Sequence, residues 1–147
     1  MAGENMVSTA GFVIGIGLDL VDIRRIDNTL TVFGERFQKR LFSAQEIEFC
    51  NNKPDSAAAF ARHYAMKEAC SKALGTGMRL GVAWRDMSMF REKHKKPEIK
   101  LTGGALARLK AITPDGYEGK VHVSITDEPP YAAAIVTISA VPINSAG

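Results

Sequence analysis

The chain has 147 residues, of which 46% are hydrophobic and 24% are charged, a composition typical of one globular domain. Its 19 basic and 16 acidic residues give a formal net charge of +3, too small an excess to indicate a nucleic-acid-binding module. The composition also excludes a disordered chain. Cys50 and Cys70 fall in segments with helical patterning and form no Cys-x-x-Cys pair, so both are interpreted as reduced thiols.

These features predict a cytoplasmic protein without a membrane segment. No apolar run approaches the roughly 20 residues of a membrane span. The N-terminus carries Glu4 and has neither a basic cluster nor an apolar core, so no signal peptide is expected. We expect one domain over residues 12–141, with loose tails at 1–11 and 142–147.

The predicted elements begin with a strand and a helix. An apolar, β-branched run over 12–18 predicts a buried strand that ends at Asp19. Four apolar residues then recur at helical spacing, Ile23, Ile26, Leu30 and Phe33. Gly34 ends or bends that helix, and a further turn of helix is predicted over 36–40.

The middle of the chain predicts a long helix rich in alanine. Ser43 and Glu46 have the spacing of a capping box, so a short helix begins there. Residues 54–55 then begin a helix that runs to about Leu74 and carries seven alanines, the best helix-forming residue. The glycines of segment 75–77 end it.

The last third of the chain predicts strands around one more helix. Segments 84–90 and 98–101 are predicted strands, and Thr102 caps an amphipathic helix. Residues 121–125 alternate apolar and polar, and 131–140 form a last apolar strand beyond a tight turn. Adjacent strands across a tight turn favour an antiparallel pair, so we predict an α+β fold with the alanine-rich helix packed on a mainly antiparallel sheet.

Asp19 is a first candidate for chemistry because it stands between the predicted strand and helix. One interpretation is a helix N-cap, since aspartate is a preferred capping residue. The other is a metal ligand, since strand ends present side chains to ligands and carboxylates suit a hard cation such as Mg²⁺. Position alone favours the cap.

Glu68 and Lys72 are four residues apart inside the alanine-rich helix and therefore lie on one face. An exposed ion pair would be the simple interpretation, contributing only about 0.3–0.5 kcal/mol. The helix is mostly apolar from Ala57 to Ala69, however, which predicts that Glu68 is partly buried. A partly buried carboxylate needs a cationic partner or a metal.

Gly75-Thr76-Gly77 allows two interpretations. A single glycine would suffice for a helix C-cap. A second glycine would permit a close approach of the backbone to a phosphate, where a Cβ would interfere. The segment is neither a Walker loop nor a dinucleotide fingerprint.

Three groups of segments, taken in chain order, resemble the acyl-carrier-protein-synthase type of phosphopantetheinyl transferase. They are Ile14–Leu20 (IGIGLDL) with Arg25-Ile26, Tyr64–Ala69 (YAMKEA) with Lys72–Gly77 (KALGTG), and Val121–Thr126 (VHVSIT) with Tyr131–Ala134 (YAAA). The resemblance covers roughly residues 13–139. The Gly-x-Asp and Lys-Glu-Ala-x-x-Lys motifs are specific as a pair in so short a chain.

The resemblance implies a 4′-phosphopantetheinyl transferase-like fold and a reaction. The 4′-phosphopantetheine group of coenzyme A moves to a serine hydroxyl of apo acyl carrier protein, for fatty acid biosynthesis, and adenosine 3′,5′-bisphosphate is released. Matching positions imply that Asp19 and Glu68 are catalytic and bind the usual Mg²⁺. They also imply that Lys72 is catalytic through its contact with phosphate, and that Gly75 to Gly77 belong to the coenzyme A pocket. Glu68 is the candidate general base.

Two positions depart from the family pattern. The family often has arginine where His63 stands, with Arg62 one place earlier here. It often has histidine where Asp127 follows the Val-Ser-Ile-Thr segment. Both positions help to hold the nucleotide, so Asp127 is included among the implied coenzyme A-binding residues.

The resemblance also implies partners. Acyl carrier proteins are acidic, and segment 22–40 carries five basic against three acidic residues. Arg25, Arg36 and Arg40 are therefore predicted to bind the carrier, with a cationic face that speeds encounter. The family further suggests a homotrimer with active sites between subunits. The alternatives are a non-catalytic domain that docks an acidic protein and, less supported, a basic nucleic-acid module.

Overall fold

The computed structural model describes residues 10–143, which form eleven secondary-structure elements. These are β1 Phe12–Asp22, α1 Ile23–Phe33, α2 Glu35–Leu41, α3 Ala44–Asn51, α4 Ser56–Ala73, a 3₁₀ turn Trp84–Asp86, β2 Met87–Phe90, β3 Glu98–Leu101, α5 Gly103–Ile112, β4 Tyr117–Glu128 and β5 Tyr131–Pro142. Of the predicted tails at 1–11 and 142–147, residues 1–9 and 144–147 lie outside the described residues. No helix within 10–143 is long and apolar enough to cross a bilayer.

Two antiparallel sheets and one central helix make up the architecture. β5 lies between β1 and β4 in a three-stranded sheet, and β2 pairs with β3 in a hairpin. α4 lies against β1 and β5, and its alanines from Ala58 to Ala73 are buried there. This arrangement is the predicted α+β fold, with the alanine-rich helix on an antiparallel sheet.

β1 approaches α4 so closely that only glycine fits at two positions. A Cβ on Gly17 would lie 1.9 Å from the carbonyl oxygen of Ala69, and one on Gly15 would lie 2.2 Å from that of Ala73. No real Cβ atom tolerates such distances. The two glycines therefore set the distance between strand and helix. They also determine where along α4 the Asp19 side chain lies.

Three local predictions differ from the structure. β1 is not a buried strand, because Ile16, Leu18 and Leu20 each expose more than 60% of their surface on the face away from α4. It also continues past Asp19 to Asp22. The predicted strand over 84–90 begins instead with a 3₁₀ turn, and pairs with β3 only from Met87.

A buried ionic cluster joins α3, α4 and β2. Lys67, fully buried, donates to Glu46 Oε1 at 2.8 Å and to the carbonyl oxygens of Trp84 and Met87. Glu46 Oε2 lies 2.8 Å from Nδ1 of His63. Burial alone would raise the pKa of Glu46, but its hydrogen bond with His63 and the charge of Lys67 lower it. The cluster anchors the helix turn that immediately precedes Glu68.

Candidate active site

Asp19 lies in β1 beside the C-terminal half of α4. Its Oδ1 accepts a hydrogen bond from Lys72 Nζ at 3.1 Å, and the same ammonium donates to the carbonyl of Leu18 at 3.0 Å. The N-cap of α1 is Asp22, whose carboxylate accepts from the backbone N–H of Arg24 at 2.9 Å. The capping interpretation of Asp19 is therefore wrong, and its carboxylate, only 15% exposed, is directed to α4.

Glu68 and Asp19 share one electrostatic environment although 48 residues separate them in sequence. Partial burial raises the pKa of Glu68, and the negative charge of Asp19 raises it further. The charge of Lys72 and the nearby Tyr64 phenol act on this pKa in the opposite direction. Two mutually repelling carboxylates at one place make a site that a divalent cation would stabilise.

The donor set of this pair fits Mg²⁺. Within residues 10–143 no group of three or more His, Cys, Asp or Glu side chains is arranged to hold a metal. Mg²⁺ commonly takes one or two protein carboxylates and completes its octahedron with phosphate oxygens and water. The Lys72 ammonium lies 3.1 Å from Asp19 Oδ1, so the carboxylate already interacts with a positive charge. Asp19 and Glu68 would hold the ion.

The segment Gly75-Thr76-Gly77 closes α4 with its own backbone. Gly75 and Gly77 have positive φ values of 77° and 57°. The three amides donate to carbonyls of the last helical turn, those of Thr76 and Gly77 to Ser71 at 3.3 and 3.2 Å. These amides are not free to cradle a phosphate. A role in coenzyme A binding therefore rests on the open space beside Gly77, where nothing lies within 4 Å of a Cβ position.

A second candidate region is a cationic cavity of about 220 Å³ between α3, α4, the β2–β3 hairpin and β4. Lys53, Arg62 and Arg91 line it together with the rings of Phe49 and Phe90. Such a lining suits a phosphorylated ligand with an aromatic base. Arg62 Nη1 lies 3.3 Å from Oδ1 of Asp127, so the predicted nucleotide-binding carboxylate stands at this cavity.

His63, which replaces the arginine usual in the family, also lines this cavity but is directed inward to Glu46. It is only 3% exposed. Arg62, one position earlier, carries the positive charge at the cavity instead. The positively charged side chain at the cavity thus stands at position 62 of α4, one residue before the position where the family often has arginine.

The three predicted partner-binding arginines divide between two helices. Arg25 lies on α1, where its charge acts on both Glu68 and Tyr64. Arg36 and Arg40 lie on α2 and line a groove of about 390 Å³. α1 and α2 are separated at Gly34, so Arg25 and Arg36 do not lie on one continuous helical face.

Sequence reasoning missed most of the cationic cavity. Lys53, Arg62 and Arg91 come from three separate elements, and no spacing rule links them.

Comparison with known proteins now identifies the family. The model of the 4′-phosphopantetheinyl transferase superfamily matches residues 15–135. The holo-[acyl-carrier-protein] synthase of Methylorubrum populi is 50% identical over 134 residues, 91% of this chain and 98% of that protein. That of Phenylobacterium zucineum is 52% identical over 130 residues, 88% of this chain and 94% of its own.

Solved structures agree. The crystal structure of holo-[acyl-carrier-protein] synthase from Neisseria meningitidis has a TM-score of 0.75 at 30% identity, covering 86% of this chain and 98% of that one. The Helicobacter pylori enzyme in complex with coenzyme A has a TM-score of 0.71 at 28% identity, covering 84% and 98%. The predicted fold class, enzyme class and transfer reaction are confirmed, which removes the support for a non-catalytic docking domain. The chain belongs to the 4′-phosphopantetheinyl transferase superfamily.

Proposed function

We propose that this transferase moves 4′-phosphopantetheine from coenzyme A to a serine of apo acyl carrier protein at the Asp19–Glu68 pair, with Mg²⁺ as cofactor. The observation that carries the proposal is the convergence of these two carboxylates, from distant parts of the chain, beside the Lys72 ammonium. The names of relatives about half identical to this chain supply the carrier and the direction of transfer.

The roles follow from the chemistry of phosphoryl transfer, which is mainly positioning and charge neutralisation. When bound, Mg²⁺ would neutralise charge on the diphosphate of coenzyme A. Lys72, half exposed, is placed to add a second positive charge to that diphosphate. Glu68, whose pKa is raised by burial and by Asp19, is the side chain placed to accept the proton of the attacking serine.

We place the nucleotide of coenzyme A in the cationic cavity formed by Lys53, Arg62 and Arg91. Within one chain this cavity lies toward β4, whereas Asp19 lies on β1, and these strands are opposite edges of the sheet. Strands spaced about 4.8 Å apart put those edges roughly 10 Å from each other, with α4 between the two half-sites. A site completed by a neighbouring copy would bring the cavity of one chain to the carboxylates of another.

The outer face of the sheet supports such an assembly, which we propose is the homotrimer. It carries Ile16, Leu18 and Leu20 of β1, each more than 60% exposed, next to Ile135 of β5. An apolar face of this kind, without a covering element among residues 10–143, is typical of a subunit interface. The occupants would be two further copies of the same chain.

Leu18→Glu should therefore dissociate the assembly and abolish transfer, because it places a charge at the centre of the apolar face. Mass determination by light scattering after size-exclusion chromatography is the measurement. Val32→Glu, a matched change at a 63% exposed residue of α1, should leave the assembly intact. A Leu18→Glu protein with unchanged mass would contradict this interface.

The carrier would dock over α1 and α2. Arg36 and Arg40 line the groove there with Phe33, which is 55% exposed, and Tyr64 connects the groove to Glu68. Arginines at the rim would steer an acidic carrier, while the exposed ring would contribute apolar contact. Arg25, whose charge acts on Glu68, stands at the junction of groove and carboxylate pair.

A role in fatty acid biosynthesis and a cytoplasmic location complete the proposal. Both cysteines are free and buried, and burial raises the pKa of each thiol to about 12. Inert thiols of this kind agree with a reducing compartment.

Incubation with apo acyl carrier protein, coenzyme A and Mg²⁺, read by intact mass, tests the function. We expect the carrier to gain one phosphopantetheine group, the gain to disappear with chelator, and Mg²⁺ addition to restore it. Serine→alanine replacement in the carrier is the control. Transfer that continues unchanged in excess chelator would contradict the cation site, and absence of any transfer would contradict the function.

A further inference from the structure

Glu46 is a buried carboxylate of α3 that the mechanism above does not use, with only 2% of its surface exposed. Its Oε1 accepts hydrogen bonds from Lys67 Nζ at 2.8 Å and from the backbone N–H of Ser43 at 3.1 Å. Its Oε2 accepts from Nδ1 of His63 at 2.8 Å and from the backbone N–H of Met89 at 3.4 Å. One carboxylate, which offers about four acceptor positions, is therefore fully used by the cap of α3, by α4 and by β2.

The same three elements carry much of the lining of the cationic cavity. That lining includes Phe49 of α3, Arg62 of α4, and Met89, Phe90 and Arg91 of β2 and the turn after it. Two of the four donors to Glu46, His63 and Met89, are lining residues themselves. The hydrogen bonds of Glu46 thus lead directly to the walls of the cavity.

A chain of contacts also joins Glu46 to Lys53, the basic residue of the cavity farthest from it in the fold order. The His63 ring, held by Glu46, packs on the Phe49 ring with a centroid separation of 5.7 Å. Lys53 Nζ lies over that phenylalanine ring, 4.5 Å from its centroid. The position of the Lys53 ammonium therefore depends on a ring that the His63–Glu46 hydrogen bond supports.

We propose that Glu46 is a positioning residue for the nucleotide of coenzyme A, because it holds α3, α4 and β2 at the separation that brings the three basic residues of the cavity together. The inference rests on the proposed placement of the nucleotide there. Like charges repel, so they converge only where a rigid scaffold holds them, and a ligand then binds without paying for that arrangement. Glu46 acts through its neighbours and does not touch the ligand.

Glu46→Gln is the first test because it keeps the size of the side chain. The amide oxygen can still accept from Lys67 and Ser43, but the NH₂ group in place of Oε2 cannot accept from Met89. Affinity for adenosine 3′,5′-bisphosphate, measured by isothermal titration calorimetry, should fall by about tenfold, the upper range for one lost hydrogen bond. The KM of coenzyme A should rise by about the same factor with kcat close to wild type, since the nucleotide is held equally before and during transfer.

His63→Asn and His63→Leu form a matched pair that tests the bond from α4 without changing the buried carboxylate. Both remove the ring and have similar sizes, but only the asparagine amide can donate to Glu46. His63→Asn should bind the bisphosphate about fivefold more tightly than His63→Leu. This pair gives the answer even where Glu46→Gln does not fold. Glu48→Gln removes the same charge from an exposed position of α3 and should bind like the wild type.

The outcomes separate the role of Glu46 from the placement of the nucleotide, with thermal unfolding as the check that each variant is folded. A folded Glu46→Gln protein with wild-type affinity for the bisphosphate, or equal affinities of the two His63 variants, would overturn the role of Glu46. Arg62→Gln removes a cation of the cavity and leaves the hydrogen bonds of Glu46 in place. A wild-type protein that does not bind the bisphosphate, or an Arg62→Gln protein that binds it as tightly, would overturn the placement and the inference together.

Discussion

Asp19→Asn and Glu68→Gln should each lower the rate of phosphopantetheine transfer by about 10³-fold, because each removes one of the two charges that we propose hold the cation. Stabilisation of charge in a phosphoryl transfer by a metal contributes several kcal/mol, and about 4 kcal/mol corresponds to that factor. Both substitutions keep the size of the side chain. An asparagine amide oxygen at position 19 can still accept the hydrogen bond from Lys72, so the fold should persist.

Comparing the single variants with the double variant tests whether both carboxylates act through one ion. If both carboxylates act through one ion, the double variant should be little worse than either single one, since residues that act as a unit are not additive. Intact-mass kinetics of the carrier provide the rates, and thermal unfolding checks the fold. Glu118→Gln, an exposed carboxylate paired with Lys120 at 2.8 Å, should transfer at the wild-type rate. Independent, multiplicative losses would argue against one shared cation.

The starts and ends of the helices were predictable from the sequence where residues close by in the chain determine them. The capping box at Ser43 and Glu46 is present, with both of its hydrogen bonds, and Asp55 caps α4 through the N–H of Ala58 at 3.0 Å. Gly34 ends α1 at a positive φ. Each of these signals lies within a few residues of the structure it determines, so a single sequence is sufficient to identify it.

Apart from the 3₁₀ turn at Trp84–Asp86, the errors in the predicted elements concern β1, where tertiary contacts decide. Its apolar run resembles a strand buried on both faces. One face is in fact apolar because of the exposed residues Ile16 and Leu18, and the other carries glycines because α4 leaves no room. Neither cause is visible in the segment itself. The hydrogen bond between Asp19 and Lys72 is likewise invisible in the local sequence, because it joins residues 53 apart.

The candidate site was accessible only by resemblance. Position alone favoured a cap for Asp19, and the apolar surroundings of Glu68 predicted a partly buried carboxylate in need of a cation, but neither signal linked the two residues, whose charges act on each other in the structure. The cationic cavity could not be predicted from the sequence. Its basic residues come from the turn after α3, from α4 and from the turn after β2, so only the packed chain brings them together.

Gly17→Ala should combine a large loss of stability with a loss of activity, although the change adds only one methyl group. The added Cβ would lie 1.9 Å from the Ala69 carbonyl oxygen and 2.8 Å from the Ala73 nitrogen. Both are backbone atoms of α4, so no side-chain rotation can relieve the clash. The strand and helix must separate, which should lower the free energy of unfolding by about 3 kcal/mol.

The separation of β1 from α4 should also displace Asp19, because Gly17 precedes it by two residues on the same face of β1. A shift on the order of 1 Å between Asp19 and the Glu68–Lys72 turn should reduce transfer by about 10²-fold in the fraction that remains folded. Urea unfolding and intact-mass kinetics measure the two effects. Gly116→Ala is the matched control: its φ of 84° strains an alanine by about 1 kcal/mol, but nothing lies within 4 Å of the new Cβ. That control should transfer normally. A Gly17→Ala protein with the stability and rate of Gly116→Ala would show that the strand–helix spacing does not set the geometry of the carboxylate pair.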